Sequence, residues 1–528
     1  MIDWSENIGF FREHPFYAGL CCPIDCSQED VDQVFNSTLV QQSLHPLTIK
    51  AITTDSYSDT INITLFQGIS ITMIAALVIA TVWATATNAL FPSPQYASWL
   101  QSFDAIRNTK KLVSDRKNRE SVTAALDIFR TTCVFSGFFV HVLYGMSGSI
   151  TFRCSVFTAS HNALLLQFAK IIPINLGTIC MIASCRSSYV WLNVMAEKRV
   201  RITEFLMIRI LRSVPVIAAS IIIAGTFPIL HFIGPFGKMI QEYTSNNCYH
   251  NGWKELLFIS NFSPVNDMCN IVNWHVSVDL QLYAASFILL LILSRNEKLG
   301  LRLLFLTIVV GTIGSGSYLT SRDLKLVVNS RIDQVHNTLS NLNLIMFHTI
   351  HYVPVYGVGM LLGYVLWRQE GKKKPIGQTR FALATVILPS AFVFLNCNIY
   401  DDKFEFQLHP FAEILYAFTA RIMSSLLCFI LFYAYMNATH PLIVGISNSQ
   451  IVLVLSRLSF CMFATHSMVI HFIYASLDVQ AGNTAFLCIV YVSVMVFSTM
   501  IGFLMYILVE APFQILVTNW MSGKRKSR

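Results

Sequence analysis

The chain has 528 residues, of which 54% are hydrophobic and 12% charged, with 37 Lys and Arg against 29 Asp and Glu. That charged share is about half of the roughly 25% usual in soluble domains, which excludes a water-soluble enzyme, a nucleic-acid-binding module and a disordered scaffold. The apolar residues come in blocks of about 20 between short polar stretches, the pattern of an all-α polytopic membrane protein.

Residues 1–65 hold nine acidic and two basic residues and read as an extracellular or lumenal segment. Asn36 and Asn62 begin glycosylation sequons, which fit that side; Asn62 is the poorer acceptor because the first span starts a few residues later. Met1–Leu20 shows no basic start and no apolar core. Either the first span translocates this segment or the chain starts further upstream.

Eleven spans are expected near 66–90, 124–147, 164–192, 206–229, 272–294, 302–320, 352–367, 380–396, 409–435, 456–476 and 484–510. They divide the rest into a first transmembrane helix (66–91), a basic cytosolic loop (92–123), a membrane domain (124–515) and a basic cytosolic tail (516–528). With the N-terminus outside and the C-terminus cytosolic, 24 Lys and Arg fall on cytosolic segments and 9 on outer ones. The net charge of +8 is then inner-leaflet bias. It is no sign of nucleic acid, since the basic runs lack interleaved aromatics. No retention tail distinguishes plasma membrane from endoplasmic reticulum.

Six cysteines lie in spans (Cys133, Cys180, Cys185, Cys428, Cys461 and Cys488) and read as small apolar fillers. On the oxidising side, Cys248 and Cys269 share one loop and form the expected disulfide. Cys21, Cys22 and Cys26 lack the paired spacing of a zinc site, and no metal is expected.

A charge near the bilayer centre costs at least about 2.5–3.5 kcal/mol, so each one is a functional candidate. Arg130 and His141 in the second span are eleven residues apart, about three turns plus roughly 20°, and so share one face. Asp127, one turn before Arg130, is placed to pair with it. This suits an anionic ligand held by a guanidinium, with a deeper imidazole as base or nucleophile. A snorkelling Arg and a packing His would give the same spacing. In the fifth span, Asp279 follows His275 at i,i+4 and can orient it, on the outer side; a polar helix start bonded to loop backbone is the alternative. Arg209 and Arg212, at i,i+3, can grip phosphates or simply anchor a helix. His466 lies nine residues inside Arg457, at a depth like that of His141. Arg421 needs a carboxylate or carbonyl partner. No Walker loop, HExxH or GxSxG element is present.

The order of these segments resembles the acyltransferase-3 family of integral-membrane acyltransferases, and within it the nematode and insect branch named nose resistant to fluoxetine. The matching elements are Arg130 to His141, Arg209-x-x-Arg212-x-x-Pro215, and Trp274 with Asp279, Gln281 and Tyr283 (His275 standing where the family has Tyr). They continue with Gly359-Met360-x-x-Gly363-Tyr364, Leu455 to His466, and Glu510-x-Pro512. The run from Gly19 to Val31 resembles the end of that branch's cysteine-rich outer domain. Two family features differ. Gly177-Thr178-Ile179-Cys180 and Ala183-Ser184 replace polar family residues in the third span, and Tyr352 stands where an Arg is usual.

The resemblance implies one anchor helix and a ten-helix bundle that takes an acyl group from cytosolic acyl-CoA and passes it to an acceptor in or across the membrane. Arg130, Arg209 and Arg212 would hold the CoA phosphates. His141 would be base or acyl carrier, with Asp127, Asp279 and His466 in the catalytic set. His275, Gln281 and Tyr283 would meet a small-molecule or lipid substrate among the membrane lipids. The branch name implies a second reading, a non-enzymatic lipid or drug uptake protein of the same fold.

Overall fold

The computed structural model describes residues 63–90, 99–114, 121–147, 177–226, 237–324, 343–369, 374–388 with 390, 410–438, 441–476 and 484–526. Asn36, Asn62, Cys21, Cys22, Cys26, Cys154 and Cys397 lie outside them. The helices are α1 (Leu65–Leu90), α2 (Ala105–Val113), α3 (Ser121–Ser147), α4 (Gly177–Glu197), α5 (Ile202–Gly225), α6 (Gly237–Leu256), α7 (Trp274–Arg295) and α8 (Glu297–Thr320). They continue as α9 (Val353–Arg368), α10 (Gln378–Ala382), α11 (Pro410–Met436), α12 (Pro441–Ser447), α13 (Gln450–Ser476), α14 (Thr484–Met505) and α15 (Ala511–Lys526). Among the described residues nine helical stretches are long and apolar enough to cross a membrane. The protein is an all-α polytopic membrane protein.

Two expected spans are not among the nine. The 164–192 span corresponds to α4, which starts at Gly177 and carries buried Ser184, Ser187 and Ser188; residues 164–176 lie outside the described part. At 380–396 the described helix is short, passing from α10 into a π turn, Leu383–Ile387. One correction concerns the last span, which does not close at Glu510. A π turn, Tyr506–Glu510, has the Ala511 amide donating to the Tyr506 carbonyl, and the helix continues as α15. Pro512 has no N–H and crowds the carbonyl four residues back, and the wider turn lets the helix pass it.

The bundle is built around α9, the most enclosed span. Gly359 and Gly363, one turn apart on α9, meet the backbone of α4. A Cβ at Gly359 would lie 2.3 Å from the Met181 carbonyl oxygen, and one at Gly363 would lie 2.5 Å from that of Cys185. Small residues at this spacing let two helices touch backbone to backbone in a membrane. That contact brings Cys180 and its neighbours on α4 into the core. By contrast, α1 presents most of its apolar side chains outward.

Between α8 and α9 the chain is irregular inside the bundle: a π turn, Asn343–Phe347, then a 3-10 turn, Thr349–Tyr352. Irregular backbone survives at such depth only if its polar groups are satisfied by protein. Arg421 Nη2 donates to the Ile345 carbonyl (2.5 Å) and Nη1 to Ser315 Oγ (3.2 Å). His351 Nε2 donates to the Leu344 carbonyl (2.9 Å), so its Nδ1 accepts from Ser315 Oγ (2.9 Å). The partner of Arg421 is thus a carbonyl.

The segment between α6 and α7 folds back onto the bundle. Cys248 and Cys269 are disulfide-bonded, as expected from their shared loop. Phe258 closes α6 at φ 58°, a conformation costing a non-glycine residue roughly 1–2 kcal/mol. Gln281 Nε2 holds its carbonyl at 2.8 Å. Beneath it, the buried Glu255 carboxyl accepts from the Asn270 amide (2.6 Å) and Asn273 Nδ2 (2.6 Å). Asn270 in turn binds the Ala464 carbonyl and Ser467 on α13, either side of His466.

Two outcomes follow from this packing. A Gly363→Val variant forces α4 and α9 apart, at a cost of about 1–3 kcal/mol, and lowers the melting temperature read by tryptophan fluorescence in detergent. Burial pushes the Glu255 carboxyl from 4.5 up to about 7, against its two hydrogen bonds. A raised carboxyl contributes stability that is full below about 4.5 and lost as pH rises to about 7. Melting temperature therefore falls across that window in the wild type. In Glu255→Gln this component of the pH dependence is gone.

Candidate functional site

The functional candidates collect on two connected levels of the bundle. The first is a cluster of charges. Arg209 on α5 forms an ion pair with Asp279 Oδ2 on α7, and its guanidinium lies 4.9 Å from the centre of the Tyr283 ring. Arg212, one turn on, pairs with Glu510 Oε1 at 3.3 Å. Glu510 also accepts from Cys461 Sγ (3.0 Å) and Gln514 Nε2 (2.8 Å). The π turn before Pro512 presents this carboxylate. Arg130 on α3 completes the cluster. The charges that act on it are, in order, Arg212, Glu510, Asp127 and Arg209. Three cations thus face three carboxylates, and Arg130 itself has no hydrogen-bond or ion-pair partner among the described residues.

Asp127 corrects an expectation. It does not pair with Arg130, although the i,i+3 spacing allows it. Its short side chain instead accepts from Ser456 Oγ on α13 at 2.7 Å. Arg457, next along α13, donates to the carbonyls of Lys111, Leu112 and Ser114 and so caps the C-terminus of α2. The exposed Lys111 of α2 is held near Glu510 and Arg212, with Arg107 one turn before it, a basic rim that the sequence reading missed.

The second level is a file of rings. His141 Nδ1 lies 2.6 Å from His466 Nε2, with the two rings nearly coplanar. His466 Nδ1 is 2.7 Å from the Phe463 carbonyl. A carbonyl only accepts, so the bond pattern assigns the His466 proton to Nδ1. Nε2 of a neutral His466 must then accept, which puts the His141 proton on Nδ1. The lone pair of His141 is left on Nε2, which makes no hydrogen bond among the described residues. Phe138 stacks on His466 at 4.5 Å.

Phe463 links this pair to α7, its ring 5.6 Å from His466 and 5.8 Å from His275. His275 Nε2 lies 3.3 Å from Cys180 Sγ on α4. The Arg209–Asp279 pair joins the α7 start that carries His275 to the basic cluster on α5. Cys180 is no apolar filler, nor is Cys461 bound to Glu510; Cys428 lies 3.4 Å from Thr178 Oγ1. Sequence gave no signal for these contacts, because each joins residues far apart in the chain.

Gln281 and Tyr283 have their polar atoms bonded within the protein. Gln281 binds the Phe258 carbonyl, Asn261 and Thr349, which uses its amide on the loop. Tyr283 accepts from Trp191 Nε1 (2.9 Å), donates to the Phe205 carbonyl (3.0 Å) and stacks on Phe205. It braces Arg209 from behind. Among the described residues no group of three or more His, Cys, Asp or Glu is placed to hold a metal.

A family model described as an acyltransferase domain matches residues 123–503, which include both levels of the site up to His466. The chain belongs to the acyltransferase-3 family. No curated protein and no solved structure matches it. As a member of this family, the protein is a membrane acyltransferase-like protein. Glu510 lies beyond the matched segment, and so does α2 with its basic rim.

Removing one partner of an enclosed ion pair strands the other charge, which costs about 3–5 kcal/mol when the pair is fully buried. Arg209→Met, which strands the more enclosed Asp279 carboxylate, therefore lowers the melting temperature more than Asp279→Asn does. The double variant loses less than the sum of the two, a coupling read by thermal unfolding of all four proteins.

Proposed function

We propose that the protein transfers an acyl group from a cytosolic acyl-CoA to an acceptor nucleophile within or across the membrane. The observation that carries this reading is the His141–His466–Phe463 hydrogen-bond chain, which leaves the Nε2 lone pair of His141 unused by the described residues. Arg130 supplies an unpartnered cation on the same helix, about 16.5 Å away.

In this reading Arg130 holds donor phosphates, with Arg212 and the α2 rim adding positive potential. His141 Nε2 takes the proton from the acceptor as its oxygen or nitrogen attacks the thioester carbonyl. The carbon–sulfur bond breaks, and the imidazolium returns the proton to the leaving sulfur. His466 keeps the ring in its productive tautomer and spreads the positive charge toward the Phe463 carbonyl. A base so positioned contributes about 10²–10⁴ in rate. Membrane lipids or lipid-like small molecules are the acceptor class that reaches such a site.

The test is release of free CoA thiol by the purified protein in lipid. His141→Ala loses at least about 100-fold in kcat. Arg130→Gln raises KM for acyl-CoA. His466→Phe retains part of the rate, with an altered pH profile. Equal rates for wild type and His141→Ala remove His141 from the mechanism. Movement of lipid or drug into vesicles without any acyl-CoA would favour the uptake reading instead.

A further inference from the structure

The Gly177–Cys180 segment and Tyr352, two of the positions where the sequence differs from the family pattern it resembles, both pack against the start of α7. Cys180 Sγ is 3.3 Å from His275 Nε2, and both residues are buried. Asp279 follows His275 by one turn of α7, and its Oδ1 is buried without a partner while Oδ2 holds Arg209. Tyr352 is fully buried, and its hydroxyl also has no partner. The Tyr352 ring packs 5.8 Å from that of Trp274, whose own ring lies 5.5 Å from His275. A thiol, an imidazole, a carboxylate and an unpaired hydroxyl donor therefore converge in the bundle core. Unpartnered polar atoms in such surroundings are costly. They are the groups that a reacting carbonyl would satisfy.

We propose that Cys180 is a second nucleophile, which carries the acyl group as a thioester between donor and acceptor. This rests on the acyl-transfer reading given above. The Cys180 thiol passes its proton to His275 Nε2 as Sγ attacks the carbonyl carbon of the donor thioester. The new Sγ–carbon bond forms, the donor carbon–sulfur bond breaks, and the leaving sulfur takes the proton back from His275. Nothing is oxidised or reduced, and one thioester replaces another. Asp279 stabilises the transient imidazolium. The Tyr352 hydroxyl donates to the oxygen that becomes negative in the tetrahedral intermediate. Nucleophile and base within bonding reach, with a carboxylate beside the base, is the arrangement such chemistry needs. The Phe463 ring touches both His275 of this centre and His466 of the His141–His466 pair. The acceptor, deprotonated by His141, then attacks the Cys180 thioester; the Sγ–carbon bond breaks, and the released thiolate takes up the acceptor's proton from the His141 imidazolium.

The experiment uses the full chain in lipid nanodiscs with acetyl-CoA and palmitoyl-CoA, each labelled in the acyl group. The reaction is quenched in acid, and the label is mapped by peptide mass spectrometry. The expected result is up to one acyl group per chain on Cys180, released by neutral hydroxylamine. His275→Gln slows labelling about 100-fold. Cys180→Ser, which exchanges a single atom, keeps the fold and converts any label to a hydroxylamine-resistant ester. Free thiol release is read in parallel. Release that continues in Cys180→Ser at the wild-type rate, with no label at residue 180, overturns the proposal and leaves acyl transfer standing. Label on His141 alone does the same. If wild type neither releases thiol nor takes up label, the acyl-transfer reading falls and this proposal with it.

Discussion

Arg209 on α5 and Asp279 on α7 share one ion pair that the bundle largely encloses. An isolated charge there is expensive, so the two helices are held in register wherever the pair forms. That register sets the height of the α7 start. It brings His275 level with Cys180 on α4 and, through Phe463, with the His466 ring on α13. Tyr283 secures the pair from behind by stacking on Phe205 and facing the Arg209 guanidinium. The Gly359 and Gly363 contact between α9 and α4 then fixes Cys180 from the other side.

The same rule explains the irregular parts of the bundle. Arg421, Ser315 and His351 take up the carbonyls of the broken segment before α9. Glu255, Asn270 and Asn273 do so for the folded-back loop before α7. In both cases a polar residue that looks functional by its depth serves the backbone. In the candidate site, Arg130, His141 Nε2, Asp279 Oδ1 and the Tyr352 hydroxyl have capacity that no described residue takes up.

Much of the candidate site was legible in the chain. Intramembrane charge and histidine spacing singled out Arg130, His141, Arg209, Arg212, Asp279, His275 and His466, and these converge. Loop position gave the Cys248–Cys269 disulfide. Local spacing misled where a distant helix offered a better partner. Asp127 is one turn from Arg130 yet bonds Ser456, 329 residues away. Gln281 and Tyr283 fit the family pattern, but the loop before α7 and the α4–α5 packing take up their polar atoms.

The sequence by itself determined an all-α membrane bundle, the position of nine of its spans and the residues too polar to be there by chance. Apolar run length and helical period are local properties, so a linear chain records them. Only the tertiary structure decided that Glu510 answers Arg212, that His466 fixes the tautomer of His141, and that Cys180 meets His275. Those are choices among neighbours. A helix period says which face a side chain occupies, but the close approach of other helices decides what that face meets.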